Sequence, residues 1–426
     1  MLEIKPFRGI LYNQSKVTLA DVVAPPYDVI SPEQQATLYD ASPYNVIRLI
    51  LGKEEDRYTS AAEHFQRWLQ EQIFVRDEKP ALYVLYQTFE DLTGRRLTRR
   101  GFIALCRLEE FDKRVVLPHE KTLAKPREDR LKLLNATNAN FDQVFSLYSD
   151  PRSEIDQYLN GVAKTPPIID VLFEDVQNKV WRLQDEQTIQ AVQALMREKQ
   201  ALIADGHHRY ETALAYRNKR RAENPHHTGN ELYNYVMMFF TNIDDESLVI
   251  YPTHRLVHSL PRFDRSAFLA ALGEYFILRE FREYEDVAEG MKSSSAPAFG
   301  VVLQDDPFLY LATLKPAHTG QDLITDNIPR EVKELDVSLL HSLILKQLLG
   351  ISVEAQELKT NIDYTKDARQ AVKRVREGKA QIAFLVNPTP IAQVRAVAKA
   401  GYTMPQKSTY FYPKLVSGLI LHSLTD

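Results

Sequence analysis

One stretch does most to limit the folds open to this chain. Ala201-Leu202-Ile203-Ala204 is a short apolar run, and it passes through Asp205-Gly206 directly into His207-His208-Arg209 and a segment of helix formers. An apolar run of that length bounded by a turn reads as a buried strand. Arg209 to Arg220 reads as a helix, with Ala213, Leu214 and Tyr216 inside it. A buried strand feeding a helix excludes all-helical and all-β architectures. The expected fold class is α+β (mixed α/β).

The rest of the chain agrees. Ser31-Pro32 with Gln34 predicts a capping box opening a short helix to about Tyr39. Thr59 to Gln72 reads as a longer helix with Ala62, Phe65 and Leu69 on its inner face. Ala81 to Phe89 and Arg99 to Leu108 form a strand pair turning around Gly94, with Phe102, Ala104, Cys106 and Leu108 facing one side. Strands are expected at 141–148, 168–173, 179–183 and 233–241, and a helix at 188–199. Further on, helices are expected at 265–272, 335–349, 363–377 and 391–399, and strands at 298–304, 309–314 and 382–386. The 404–414 segment, with two prolines and no period, reads as a loop walling a site. The expected division is an N-terminal α/β domain over 1–250 carrying the turn. A C-terminal α/β region over 251–426 follows, whose tail contributes to the site.

Composition narrows the function classes. The chain has 426 residues, 53 Lys plus Arg against 57 Asp plus Glu, and a formal charge of −4. That balance argues against a large nucleic-acid footprint, which is usually basic. It leaves room for a small anionic ligand. One cysteine, Cys106, excludes a disulfide framework and a cysteine-rich metal site. The start, Met1 to Gly9, has no apolar run after a basic region, and apolar stretches elsewhere are strand-sized. A cytoplasmic protein with no membrane contact is the expectation.

Four constellations carry chemistry. In the first, Gly206 lets a ligand approach the backbone, and the helix start offers amide donors. Arg209 adds a fork of donors, and His207 and His208 add further donors that titrate near neutrality. Asp205 can orient a histidine, bind Mg²⁺ or accept a proton. A capped helix with a surface histidine pair is the plainer reading; zinc is a third, although adjacent histidines diverge on a helix. In the second, Pro118-His119-Glu120-Lys121-Thr122 sets His119 and Glu120 as acid/base candidates with Lys121 beside them. In the third, Lys407, Ser408 and Thr409, followed by Lys414, offer donors suited to phosphate. In the fourth, Pro25-Pro26 stiffens a loop that holds Tyr27 and Asp28. His254-Arg255 and Asp336 are weaker candidates.

Taken together, Val-Ala-Pro-Pro-Tyr-Asp-Val-Ile at 23–30, Pro-His-Glu-Lys-Thr at 118–122, Ile-Ala-Asp-Gly-His-His-Arg-Tyr at 203–210 and the 407–414 tail resemble a bacterial and archaeal family of unknown function, number 1015. More remotely, the Asp-Gly-His-His-Arg turn resembles the phosphate-binding turn of the ParB/sulfiredoxin-like superfamily, which includes free-serine kinases. That resemblance implies a ParB/sulfiredoxin-like core around 201–220 and phosphate contacts from Gly206, His207, His208 and Arg209. It implies a kinase-like Asp205, with Glu120 or Glu33 as the counterpart of the catalytic glutamate.

The resulting expectation is a nucleotide-dependent phosphotransferase acting on a small hydroxyl metabolite such as free L-serine. Its cofactors would be Mg²⁺, with Asp205 as ligand, and ATP or ADP. The alternatives are a phosphoester or nucleotide hydrolase, and a non-catalytic nucleotide- or phosphometabolite-binding regulatory protein.

Overall fold

The strands predicted from apolar runs assemble into two sheets, one in each of two units of the chain. The computed structural model describes residues 1–120, 122 and 124–425, with the side chains of 124 and 125 excepted. Unit 1 comprises Met1–Pro118, Thr122–Val249 and the chain from Pro413 onward; unit 2 comprises His119–Lys121 and Ile250–Tyr412.

Unit 1 is built on a nine-stranded mixed sheet. Its order is Val116–Leu117, Ala201–Asp205, Val144–Tyr148, Tyr235–Asn242, Arg96–Arg107, Leu82–Glu90, Val176–Leu183, Ile169–Phe173, with Ile4–Lys5 also pairing along Arg96–Arg107. Val116–Leu117 runs parallel to Ala201–Asp205, and Val144–Tyr148 runs parallel to Tyr235–Asn242. The other pairings are antiparallel. Helices Glu154–Val162, Glu186–Arg197 and His207–Glu223 cover one face. They bury Ile155, Leu159, Ile189, Val192, Met196 and Tyr210 against Phe102, Ala104, Cys106 and Met238. Cys106 is fully buried in that layer, as its alternation predicts, and burial pushes its thiol far above the usual range.

Unit 2 holds a six-stranded antiparallel sheet in the order Phe276–Phe281, Leu309–Leu314, Ala298–Leu303, Ile382–Leu385, His254–Val257, Ile362–Thr365. Side-chain alternation divides its strands between two cores. Phe299, Val301 and Leu303 meet Phe268, Leu340 and Ile344 on one face. Ala298 and Val302 meet Val287, Met291, Ala371 and Val375 on the other.

Several local expectations change in detail. Ser31 caps the Pro32–Ala41 helix by accepting from the Gln34 backbone N–H, but the Gln34 side chain bonds Glu174 instead of closing the box. The long helix is Arg57–Gln70, and its buried face is Ala61, Phe65 and Trp68 rather than Ala62 and Leu69. Asp56 caps it earlier than expected, and the larger Trp68 takes the inward position. Residues 362–365 are a strand, and the helix begins only at Ala368, capped by Asp367. The expected 335–349 helix starts as α-helix over Asp336–Leu339 and widens to a π-helix over Leu340–Leu348. The 404–414 segment contains a short strand, Tyr410–Tyr412, and the Tyr412 ring stacks on Tyr251 at 4.7 Å.

Candidate functional site

The Asp205 turn is formed by three local devices. Pairing with Val144–Tyr148 slips between Ile203 and Asp205, a bulge that turns the end of the strand. Gly206 then adopts φ +85°, which L side chains rarely accept, and serves as the N-cap of the His207–Glu223 helix. The Asp205 Oδ1 accepts from the Gly206 N–H at 2.8 Å. The strand, turn and helix therefore stand as the sequence predicts, with the helix starting at His207. First-turn amides of such a helix have no intrahelical partner.

A Cβ on Gly206 would sit 2.9 Å from the Arg209 guanidinium, so Arg209 folds back over the turn. Arg209 donates to the Gln143 carbonyl. Burial pulls its pKa down, but Asp142, Asp205, Asp28 and Tyr27 more than offset this and hold it above its ordinary value. Gly206→Ala should destabilise the protein by about 1–2 kcal/mol through the left-handed backbone. Arg209 can swing at its flexible end, so the close approach adds little. A denaturant midpoint equal to wild type would refute the strained turn.

The tail delivers a second cation to the same place. Lys414 Nζ lies 2.9 Å from Asp205 Oδ2, with both side chains largely covered. Two strand residues hold the tail backbone there. Arg99 donates to the Pro413 carbonyl at 2.6 Å and to Gln87 Oε1, and Gln87 donates to the Lys414 carbonyl at 3.2 Å. Arg99 is fully buried, its guanidinium lies 4.4 Å from the Phe145 ring centre, and among the described residues its Nε and Nη1 have no hydrogen-bond partner. Burial lowers its pKa to about 9, and the nearby Asp205 carboxylate acts in the opposite direction.

Tyr27 and Asp28 lie in a short 3-10 turn over Tyr27–Val29. The Arg130 guanidinium sits 4.0 Å from the Tyr27 ring centre. Burial raises the Tyr27 hydroxyl to about 12, with Arg130 opposing it first and Arg209 among the other nearby charges. Unit 1 thus gathers Tyr27, Asp28, Asp205, Gly206, Arg209 and Lys414, with His207 and His208 on the first turn of the helix. His207 is buried. Glu33 lies exposed at the start of the Pro32–Ala41 helix and accepts from Ser31.

The remaining candidates belong to unit 2. There the Ser408 and Thr409 donors hold an anion supplied by the protein itself. Glu120 Oε1 accepts from the Ser408 N–H at 3.1 Å and lies 3.4 Å from both the Thr409 amide and its hydroxyl. Thr409 Oγ1 is also 2.9 Å from His119 Nε2, and His119 is fully buried. Arg255 donates to the Lys407 carbonyl at 3.1 Å, and Lys407 itself has φ +57°. The chemistry expected of Ser408 and Thr409, donation to an anion, is present, but the anion is Glu120. Lys121 lies outside the described residues.

Asp205, the expected Mg²⁺ ligand, lies at the end of its strand. Its carboxylate is held by Lys414 and the Gly206 amide. Among the described residues no group of three or more His, Cys, Asp or Glu could hold a metal ion.

Sequence reasoning missed Arg99, Arg130, Asp142 and Gln143. Arg99 had a readable signal: a charged residue entering a strand that is apolar on both faces. The others come from segments that meet the turn only through the fold.

These features define a mixed α/β protein whose strand-turn-helix brings Asp205, Arg209 and Lys414 together. The chain belongs to the family described as "protein of unknown function (DUF1015)", whose model matches residues 4–338. No curated protein matches the sequence. Among solved structures, a conserved hypothetical protein from Pyrococcus furiosus is 12% identical with TM-score 0.35, over 74% of this chain and 92% of that one. A free serine kinase in complex with AMP is 12% identical with TM-score 0.36, over 73% and 86%. SbnI from Staphylococcus aureus, truncated at its C-terminus, is 10% identical with TM-score 0.33, over 74% and 85%. Among the described residues no helix is long and apolar enough to cross a membrane.

Proposed function

We propose that unit 1 binds the phosphates of ATP or ADP at the Asp205–Arg209 turn and transfers a phosphoryl group to a small hydroxyl metabolite, with free L-serine the first acceptor to test. One observation carries the reading: a positive-φ glycine opens a long helix beneath an arginine, while Lys414 is held against Asp205. In this reading the turn is the counterpart of the ParB/sulfiredoxin-like phosphate turn. The amides of the first helical turn and the Arg209 guanidinium contact phosphate oxygens. The incoming phosphate replaces Asp205 as the partner of Lys414. Asp205 then accepts the proton of the attacking hydroxyl, a new O–P bond forms, and the bond to the nucleotide leaving group breaks. ATP leaves as ADP, or ADP as AMP. Mg²⁺ enters with the nucleotide in the assay, and no step above uses it.

The test is direct. Purified protein with nucleotide, Mg²⁺ and serine should yield O-phosphoserine, and nucleotide should raise the thermal midpoint. Arg209→Ala and Lys414→Ala should each weaken nucleotide binding about 10- to 100-fold, the worth of one charge-assisted contact. Phosphate released without an acceptor identifies hydrolysis instead. Binding without turnover identifies a regulatory protein. No thermal shift with any nucleotide or phosphate compound refutes the phosphate site itself.

A further inference from the structure

Unit 2 contains a cavity of about 460 Å³ that the phosphate chemistry does not use. That volume lies in the range of small-molecule sites. One wall is the segment where the helix widens from α to π, contributing Ser338, His341 and Lys346. Such widening is rare and recurs at functional sites.

Three features describe what fits. First, the body of the cavity is apolar: Ile328, Val332, Val353 and Tyr402 line it, and Val353 and Tyr402 are 51% and 49% exposed. Second, Ser338 is 2% exposed, and among the described residues its hydroxyl has no hydrogen-bond partner. A buried, unpartnered hydroxyl is costly and leaves one polar contact to be made. Third, the charges are of both signs. Lys346 Nζ lies 3.4 Å from Asp326 Oδ1, both half-exposed, and Glu357 also lines the cavity.

His341 contributes no charge and no base. Its Nε2 accepts from Arg255 at 3.1 Å, so its proton sits on Nδ1, which donates to Gln356 Oε1 at 2.7 Å. Both ring nitrogens are engaged, and the ring acts as a wall.

A phosphate or other anion would meet Asp326 and Glu357 together. A neutral molecule would leave the Lys346–Asp326 pair unused. A zwitterion can open that pair, setting a carboxylate on Lys346 and an ammonium on the acids, with its apolar body inside. We propose that this cavity binds a zwitterion of the amino-acid type with a bulky apolar side chain, held by Lys346, Asp326 and Glu357 at its charged end and by the Ser338 hydroxyl.

The experiment uses the full chain and follows thermal unfolding and calorimetric binding. L-leucine and L-phenylalanine are compared with phenethylamine, 3-phenylpropionate, L-serine and ADP. At tenfold excess over Kd, a bulky apolar amino acid should raise the midpoint by about 3 °C. Each single-charge analogue should bind at least about tenfold more weakly, and serine weaker still for want of an apolar body. Lys346→Ala, on the surface, should keep the fold and lose binding. Ser338→Ala should weaken it about three- to tenfold. Val332→Trp should fill the cavity and abolish amino-acid binding, while any nucleotide shift persists. The proposal falls if no amino acid binds at about 10 mM, or if the single-charge analogues bind equally well. It also falls if Lys346→Ala and Val332→Trp leave binding intact, or if Val332→Trp removes an ADP shift. A nucleotide site lost only with Arg209→Ala would leave it standing.

Discussion

Between pH 7 and pH 5 the protein should lose about 4–5 kcal/mol of stability, a large part of what a typical fold possesses. Three histidines in desolvated surroundings cause it. Burial holds His422 at about 3 and His341 at about 3, each with a nearby arginine adding to the effect. Burial likewise lowers His254 to about 4, with Arg255 helping. Geometry agrees. His254 Nδ1 accepts from the Val386 N–H at 3.2 Å, and His341 Nε2 accepts from Arg255. Among the described residues His422 Nε2 has no hydrogen-bond partner.

An unfolded histidine titrates near 6.5. Below that value the unfolded chain binds protons that the folded chain refuses, so stability falls as pH falls toward the folded values. Each histidine contributes about 2 kcal/mol of loss over this interval. Asp336 opposes them. Burial raises it to about 6, so its folded form takes up a proton as pH falls and returns about 1 kcal/mol. Urea unfolding of the full chain from pH 7 to pH 5 checks the sum. His422→Phe should flatten the slope by about 2 kcal/mol, because it keeps the ring contact with Phe7 at 5.1 Å and removes the titration. A flat pH profile in the wild type would show that these rings are not buried neutral.

Arg99→Ala should cost about 3–5 kcal/mol, the scale of emptying a large core side chain's volume and leaving its polar partners unsatisfied. It would leave the Gln87 side chain and the Pro413 carbonyl without their donor and open a cavity over Phe145. Arg99→Met fills the volume and should cost less, because only the polar partners are lost. The same substitutions should loosen the tail and let Lys414 leave Asp205, so the nucleotide affinity proposed above for this turn should fall alongside stability. Denaturation and limited proteolysis of the 413–425 tail read the two effects separately. A stability within about 0.5 kcal/mol of wild type would refute the clamp.

Much of the local structure was legible because its causes act over a few residues. The strand-turn-helix at 201–223 needs only an apolar run, a glycine and helix formers. Ser31 as a cap and the Phe102–Leu108 alternation are of the same kind. The inner face of the 57–70 helix differs from the expected one by a position either side of Phe65, because tertiary packing turns the larger Trp68 inward. Residues 362–365 were misread because a lone strand segment beside a helix carries no distinct period.

The sequence by itself determined the central turn: a strand end, a glycine in the left-handed region, and an arginine within one helical turn. Tertiary structure alone decided which charges meet. Ser408 and Thr409 look ready for phosphate, yet they hold Glu120, which lies nearly three hundred positions earlier in the chain. Asp205 meets Lys414, brought back by a tail clamped to Arg99 and Gln87, a partner that neither segment announces. The physical reason is range. Backbone preferences and caps are written into neighbouring residues, whereas the partner of a charge depends on sheet register and chain return, which no short segment encodes.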